Sequence, residues 1–437
     1  MEPYLRRFLA AVILTLVLAS LSWFTVPGDR PPVILVSIDT LRADRVTAAG
    51  YERNITPHLD EFVNDSYYFE NAYASAPWTL PSHATVFTGK YPSQTGALKW
   101  RFRLCEASTT LAEMAREQGY STYSSNGDAA ISSKLGFSQG FDIYNESEIH
   151  LYNGNFKSAA RWLSGRRKNP PFVFVHGYDV HQPYIVPRNK SLKYVDEESF
   201  PKITKKRGKV KKENYSDYRF PSEDINLSSE RRLRFTRNMY DNGVYYTDIS
   251  FGRFIEQLKK EGIYNDALII VFSDHGEELG EHGVVGHSQM YQETIKTFLA
   301  VKYPDQKEGH RIKDRAELRD IYPTVARILG ESYRGTAIPL KKIAGEKSHE
   351  TIFAERDTRR MIVSGKYKLI DYINSSRREI YNLEEDPREL NDLDNEKLYN
   401  RLKSKLEKYP VRSYASYCRS GFSSPLLGKN KSGGGEQ

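Results

Sequence analysis

Three nearly continuous apolar runs, each closing on a carboxylate or an imidazole, restrict what this chain can fold into more than any other feature. Val33-Ile34-Leu35-Val36-Ser37-Ile38 ends at Asp39, and Pro171-Phe172-Val173-Phe174-Val175 ends at His176, with His181 close behind. Ala267-Leu268-Ile269-Ile270-Val271-Phe272 ends at Ser273-Asp274-His275. A strand with one wet face alternates polar and apolar residues, so runs without alternation read as parallel strands covered on both faces. Helical patterns lie between them at Thr56 to Phe62, Thr109 to Gln118, Ser229 to Gly262 and Ala316 to Leu329, with a further strand at Tyr120 to Ser125. This alternation predicts an α/β fold, a mostly parallel central sheet flanked by helices. Ligands bind such sheets at the carboxyl ends of their strands, which is where Asp39, His176 and Asp274-His275 converge.

The chain has 437 residues, enough for one large domain or two. Arg6 and Arg7 precede the uncharged stretch Phe8 to Val26, and Pro27, Gly28, Pro31 and Pro32 follow it. Its nineteen residues exceed the roughly 7–15 of a secretory h-region and approach the about 20 of a spanning helix. Residues 1–30 are therefore expected to anchor the chain in a membrane, or to be cleaved as a signal. The paired arginines would stay in the cytoplasm and the rest outside it. Residues 31–345 form the expected catalytic domain, interrupted at 189–228 by a charged surface insertion. Residues 346–415, with strand patterns at Arg360 to Ile370 and Glu379 to Leu383, form a small α+β subdomain, and 416–437 a tail ending in Ser432-Gly433-Gly434-Gly435.

The net charge of +8 is partly local, because seven lysines and arginines crowd into Lys202 to Lys212. Such a run suits a solvated loop or attraction to an anionic polymer or membrane surface. Without interleaved aromatic residues or a nucleic-acid motif, nucleic acid is not an expected partner. Two cysteines, Cys105 and Cys418, exclude a disulfide scaffold and a cysteine metal cage, and their separation gives no support for pairing.

Hard or borderline divalent cations take carboxylate oxygens and imidazole nitrogens. Asp39, Asp274 and His275 supply that set, for calcium, manganese, magnesium or zinc. A fourth oxygen is available from Ala76-Pro77-Trp78-Thr79-Leu80-Pro81-Ser82-His83. Pro81 and Ser82 suit a cap and first turn, which places Thr79 just ahead of a helix, where its positive end attracts an anion. A cation there would turn the Thr79 hydroxyl into a usable nucleophile. Lys90, His181 and His287 are candidates to hold a tetrahedral anion and to protonate a leaving group.

These motifs together resemble the sulfatase family of the alkaline phosphatase superfamily. The matching stretches are Ser37 to Asp44, Thr56-Pro57-His58-Leu59-Asp60, Ala76 to Pro92, Asp179-Val180-His181-Gln182-Pro183-Tyr184, Ser273 to Glu277, and Gly286-His287-Ser288 with Tyr291 to Thr294. Lys366 to Ile370 and Tyr381-Asn382-Leu383 with Asp386-Pro387 look like the family's C-terminal subdomain. The resemblance implies Asp39, Asp274 and His275 as ligands of one divalent metal ion, with Thr79 at the nucleophile position. It also implies Lys90 and His181 on the anion or leaving oxygen, and His287 where many members carry lysine. His83 stands in place of an arginine and would bind substrate. Family sulfatases commonly carry a cysteine or serine oxidised to formylglycine where this chain has Thr79, so formylglycine is not expected. The expected function is hydrolysis of sulfate or phosphate esters on an anionic substrate, a glycan or lipid, outside the cytoplasm. A transferase of phosphoethanolamine or phosphoglycerol type, and an inactive anionic-glycan-binding protein, are the alternatives.

Overall fold

The computed structural model describes residues 30–409, except 100–101, 128, 147–151, 166–167, 183, 185–191, 196–203, 206–207 and 210–228. The expected anchor at Phe8 to Val26, most of the 189–228 insertion and the 416–437 tail lie outside the described residues. Among those described, no helix is long and apolar enough to cross a membrane.

The elements used below are β1 (Val33–Ile38), α1 (Pro57–Asn64), β2 (Tyr67–Tyr73), α2 (Thr79–Thr88), α3 (Leu111–Glu117), β3 (Ser121–Asn126), β4 (Ile143–Glu146), α4 (Tyr152–Leu163), β5 (Pro171–Gly177) and α5 (Glu230–Lys260). They continue with β6 (Leu268–Phe272), β7 (Lys296–Thr297), β8 (Leu299–Lys302), β9 (His310–Glu317), α6 (Ile321–Ile328), β10 (Thr351–Arg356), β11 (Arg359–Ser364), β12 (Tyr367–Tyr372), β13 (Arg378–Asn382) and α7 (Glu396–Leu406). The main sheet has nine strands in the order β7-β2-β8-β6-β1-β5-β3-β4, with β9 added beside β2. Strands β6, β1, β5, β3 and β4 run parallel. By contrast, β8 runs antiparallel to both of its neighbours.

The apolar runs are continuous because each face of the sheet is covered. Val33 and Leu35 pack into one core, while Ile34, Val36 and Ile38 pack into the other. Full burial of each such side chain contributes about 1.5–3 kcal/mol. Register then aligns the strand ends. Ser37 of β1 lies beside His176 of β5 and Phe272 of β6. Asp39 and Asp274 therefore both stand two residues beyond that rung, side by side at the carboxyl edge.

Helix α2 lies under the same edge with all ten of its residues buried. It ends at Gly89, whose positive φ of 67° and whose close approach to the Tyr322 ring both require glycine. Strands β10 to β13 form a four-stranded antiparallel sheet, and α7 buries Leu398, Leu402 and Leu406 against it.

Several expectations change. Helix α2 starts at Thr79 itself, with Trp78 at the N-cap, so Thr79 is the first helical residue rather than a residue ahead of the helix. The helix expected from Ala316 begins only at Ile321, because Ala316 and Glu317 finish β9 and a single 3-10 turn follows. Cys105 is disulfide-bonded, a bond that its sequence spacing did not signal, and Cys418 lies outside the described residues.

Candidate active site

Asp39, Asp274 and His275 meet as the register requires, buried, with one ligand atom of each within 4.8 Å of the others. Every neighbour of this group is placed by a local device. The backbone N–H groups of Thr40 and His275 donate to Asp274 Oδ1 at 3.2 and 3.0 Å. Its other oxygen, Oδ2, is buried and accepts no hydrogen bond among the described residues. Thr40 takes φ of 55°, an uncommon conformation for a β-branched residue, and its carbonyl is held by the Tyr240 hydroxyl at 2.8 Å. The strained turn is what points the Thr40 N–H at Asp274.

His275 Nδ1 donates to the Gly276 carbonyl at 2.8 Å, which fixes the tautomer and leaves Nε2 with its lone pair toward the carboxylates. Gly276 has no alternative, because a Cβ there would lie 1.9 Å from the Glu293 carbonyl oxygen. Thr79 Oγ1 donates to Asp39 Oδ2 at 3.2 Å and lies 3.3 Å from His275 Nε2, at the N-terminus of α2. The helix end adds positive potential at that hydroxyl.

Burial alone would raise the Asp39 carboxyl, but the His176 hydrogen bond and the surrounding imidazoles hold it below the usual carboxylate range. Asp274 is pushed well above that range by burial and by the Asp39 charge. Two buried carboxylates face each other, and Asp274 Oδ2 accepts no hydrogen bond among the described residues. That donor set, two carboxylates and a neutral imidazole beside a hydroxyl, fits a divalent cation.

Two sequence-named residues differ from expectation in place. His83 does not face a substrate cleft. It is buried, with Nδ1 at 2.9 Å from the Thr79 carbonyl and Nε2 at 2.8 Å from Ser37 Oγ, and it packs on Phe174, His176 and Phe272. Burial and the neighbouring His176 push it down to about 3. It is a neutral strut under Thr79. Lys90 sits past the far end of the ten-residue α2, and Nζ donates to Ser108 Oγ at 3.1 Å. At about 1.5 Å rise per residue the helix carries it roughly 15 Å from Thr79. Lys90 therefore does not join the site.

His181 and His287 do come together. Their ring centroids are 4.9 Å apart, and His287 lies 4.7 Å from the His275 ring. His287 Nδ1 is 3.3 Å from Glu277 Oε2. Burial pushes His287 down to about 4 and Glu277 up to about 8. The His287 loop is tied to the C-terminal subdomain. Arg356 Nη1 donates to the His287 carbonyl at 2.9 Å, and Arg359 Nη1 donates to the Ser288 carbonyl at 2.8 Å.

His176, noted only as a strand end, has a definite job, since its Nε2 lies 3.0 Å from Asp39 Oδ2 and orients that carboxylate. Ser82 Oγ donates to the Asp274 carbonyl at 2.6 Å and joins α2 to the end of β6. The strand-end position was a signal for the first. Nothing in the sequence signalled the second.

Residues 31–331 match the family described as Sulfatase. The chain belongs to the sulfatase family. Residues 280–413 also match the family described as N-sulphoglucosamine sulphohydrolase, C-terminal. An arylsulfatase of Clostridium perfringens is 22% identical over 88% of this chain and 94% of its own length. A delta 4,5-hexuronate-2-O-sulfatase of Bacteroides thetaiotaomicron is 22% identical over 89% of this chain and 90% of its own. Among solved structures, a phosphonate monoester hydrolase of Agrobacterium radiobacter superposes with a TM-score of 0.71 at 18% identity, over 86% of this chain and 94% of that one. A protein solved with its substrate D-glucosamine-2-N,6-O-disulfate superposes with a TM-score of 0.68 at 20% identity, over 86% and 96%. These superpositions bear out the expected α/β sheet. As a sulfatase-family ester hydrolase, the chain is an enzyme.

Proposed function

We propose that this sulfatase-family enzyme hydrolyses sulfate or phosphate esters with Thr79 as nucleophile, and that Asp39, Asp274, His275 and the Thr79 oxygen hold one divalent cation. The observation that carries the reading is the Thr79 hydroxyl, aimed at Asp39 Oδ2 at 3.2 Å beside a carboxylate–imidazole set at a helix N-terminus. Bound there, the cation would offset the two carboxylates, lower the pKa of the hydroxyl and draw charge from the ester's non-bridging oxygens.

The chain's own groups divide the remaining work. Thr79 Oγ1 loses its proton to solvent water and bonds to sulfur or phosphorus as the bridging ester bond breaks. His181 gives the departing alkoxide a proton, while His287, kept neutral by burial, donates a hydrogen bond. Water then attacks the threonine ester and loses a proton to His181, and the departing Thr79 oxygen takes a proton from solvent water. Formylglycine would release its product by elimination, a route that a threonine ester lacks. Release therefore needs attack at the central atom, which suits phosphoryl better than sulfuryl groups.

The disulfide at Cys105 supports an extracytoplasmic site, because such bonds persist in oxidising compartments. It agrees with the proposed role of Phe8 to Val26 as anchor or signal.

Assaying the full-length protein on 4-nitrophenyl sulfate, 4-nitrophenyl phosphate and phenyl phosphonate, with and without added divalent ions, tests the reading. Turnover that depends on metal, disappears in Thr79→Ala and leaves a labelled Thr79 on rapid quenching is expected. Undiminished turnover in Thr79→Ala sinks the mechanism.

A further inference from the structure

The segment that presents His287 is shaped by side chains. The two-residue strands Glu278–Leu279 and Val285–Gly286 pair antiparallel and set Glu278 opposite Gly286. Beyond Gly286 the chain leaves that ladder, and its backbone polar groups need other partners. Five consecutive ones find them on side chains. The His287 carbonyl accepts from Arg356 Nη1 at 2.9 Å, and the Ser288 carbonyl from Arg359 Nη1 at 2.8 Å. The Gln289 carbonyl accepts from Thr294 Oγ1 at 3.0 Å. Between these carbonyls, the Ser288 N–H donates to Glu278 Oε2 at 3.3 Å and the Gln289 N–H to Glu278 Oε1 at 3.2 Å.

One carboxyl group therefore takes both amides, while two guanidinium groups take the carbonyls beside them. The anchors come from different parts of the fold. Arg356 ends β10 and Arg359 begins β11, both in the C-terminal subdomain. Glu278 is buried and stands three residues after His275, so it ties the His287 segment to the loop that carries Asp274 and His275. Burial and the neighbouring Glu277 push it up to about 8, and the two N–H donors work against that rise. Its charge also attracts Arg356 on the other side of the segment. Glu277 holds the ring rather than the backbone, with Oε2 at 3.3 Å from His287 Nδ1, which leaves Nε2 to face the ester.

We propose that Glu278 is a positioning residue: through the Ser288 and Gln289 amides it sets where the His287 ring stands, and hence how well His287 serves the departing oxygen. The effect on turnover rests on the hydrogen bond assigned to His287 under the proposed function, whereas the amide clamp does not. An oxygen that departs with its charge spread out, as from a 4-nitrophenyl ester, needs that hydrogen bond less than one that departs from a phenyl ester. Disturbing Glu278 should consequently be felt according to the leaving group.

The test measures full-length protein on the 4-nitrophenyl and phenyl esters of phosphate and of sulfate. In Glu278→Gln, where an amide N–H₂ replaces one acceptor, kcat/KM on phenyl esters should fall by about tenfold or more, as for loss of one hydrogen bond to a charged oxygen, and on 4-nitrophenyl esters by no more than about threefold. His287→Ala should show the same bias, and Glu278→Gln should add nothing to it, since residues acting as one unit are not additive. Hydrogen exchange gives a readout that needs no turnover: amides of residues 286–290 should exchange about tenfold faster or more in Glu278→Gln, while those of β6 stay protected. Glu278→Asp, whose acceptors are withdrawn by one methylene, should shift both measurements in the same direction and serves if the glutamine variant does not fold. Equal losses on both leaving groups, a loss that multiplies with His287→Ala, or unchanged exchange over 286–290 would overturn the proposal and leave the role of His287 standing. No turnover of any ester by the wild type, or a His287→Ala variant without leaving-group bias, would sink the reading of His287 and the proposal with it.

Discussion

Two buried clusters in this molecule have nearly the same composition: Asp39, Asp274 and His275 at the sheet edge, and Glu317, Asp320 and His349 where β9 meets α6. Their surroundings separate them. In the second, Arg319 Nε donates to Glu317 Oε2 at 2.6 Å, and the Phe353 N–H and Tyr91 hydroxyl donate to Oε1. The Ile338 N–H donates to Asp320 Oδ1, and the Glu317 N–H with His349 Nε2 reaches Oδ2. Every carboxylate oxygen has a donor and the charge is balanced inside the protein. In the first, Asp274 Oδ2 has none, and the nearest cationic candidates are imidazoles that burial keeps neutral. Residue types do not distinguish a metal centre from a structural ion-pair network. Unfinished compensation does.

The sharpest way to break that distinction is catalytic. Thr79→Ala should lower kcat by on the order of 10⁴-fold or more, as removal of a nucleophile does, while Glu317→Gln should leave kcat within a small factor in protein that remains folded. Steady-state rates on the aryl ester panel decide this. The second contrast is in stability. Glu317→Ala leaves Arg319 buried without its anion and should cost about 3–5 kcal/mol, whereas Asp274→Asn should leave metal-free stability unchanged or raised. Denaturant unfolding in chelator measures both, and equal losses would erase the difference between the clusters.

Third, a divalent cation at 100 times its dissociation constant should stabilise the wild type by about 2.7 kcal/mol. The gain should vanish in Asp274→Asn and persist in Glu317→Gln. Melting curves with and without chelator provide the check. The smallest effect concerns pH. Burial opposes charge on His349, but its hydrogen bond and attraction to Asp320 leave its pKa raised above 6.5. Its contribution is therefore full below the unfolded value near 6.5 and fades as pH rises through the folded one. The melting temperature should decline over that interval, and His349→Gln should flatten the decline.

Much of this architecture could be read from the chain. Three runs without alternation demanded a sheet buried on both faces, and their polar ends named Asp39, Asp274 and His275 before any coordinate did. Strands β8 and β9 escaped notice for a physical reason. The first has four residues, and the second exposes His310, Arg311, Lys313 and Asp314 along a sheet margin, so neither shows the apolar run of a central strand. Lys90 and His83 were misplaced because sequence proximity to Thr79 says nothing of direction. One lies beyond the far end of α2, and the other is turned inward one helical turn below the hydroxyl. The Glu317 cluster was invisible, since its pairing with His349 depends on how the C-terminal strands dock.

That docking bears on how the protein can be cut, inherited or redesigned. Arg356 and Arg359 stand on and beside β10, yet they grip the carbonyls of His287 and Ser288 at the mouth of the catalytic centre. A truncation after residue 345 would keep Thr79, Asp39, Asp274, His275 and the nine-stranded sheet. It would also let go of the loop that presents His287. The two parts are consequently not interchangeable modules. A C-terminal region borrowed from a relative would bring its own grip on that loop, and with it a different catalyst.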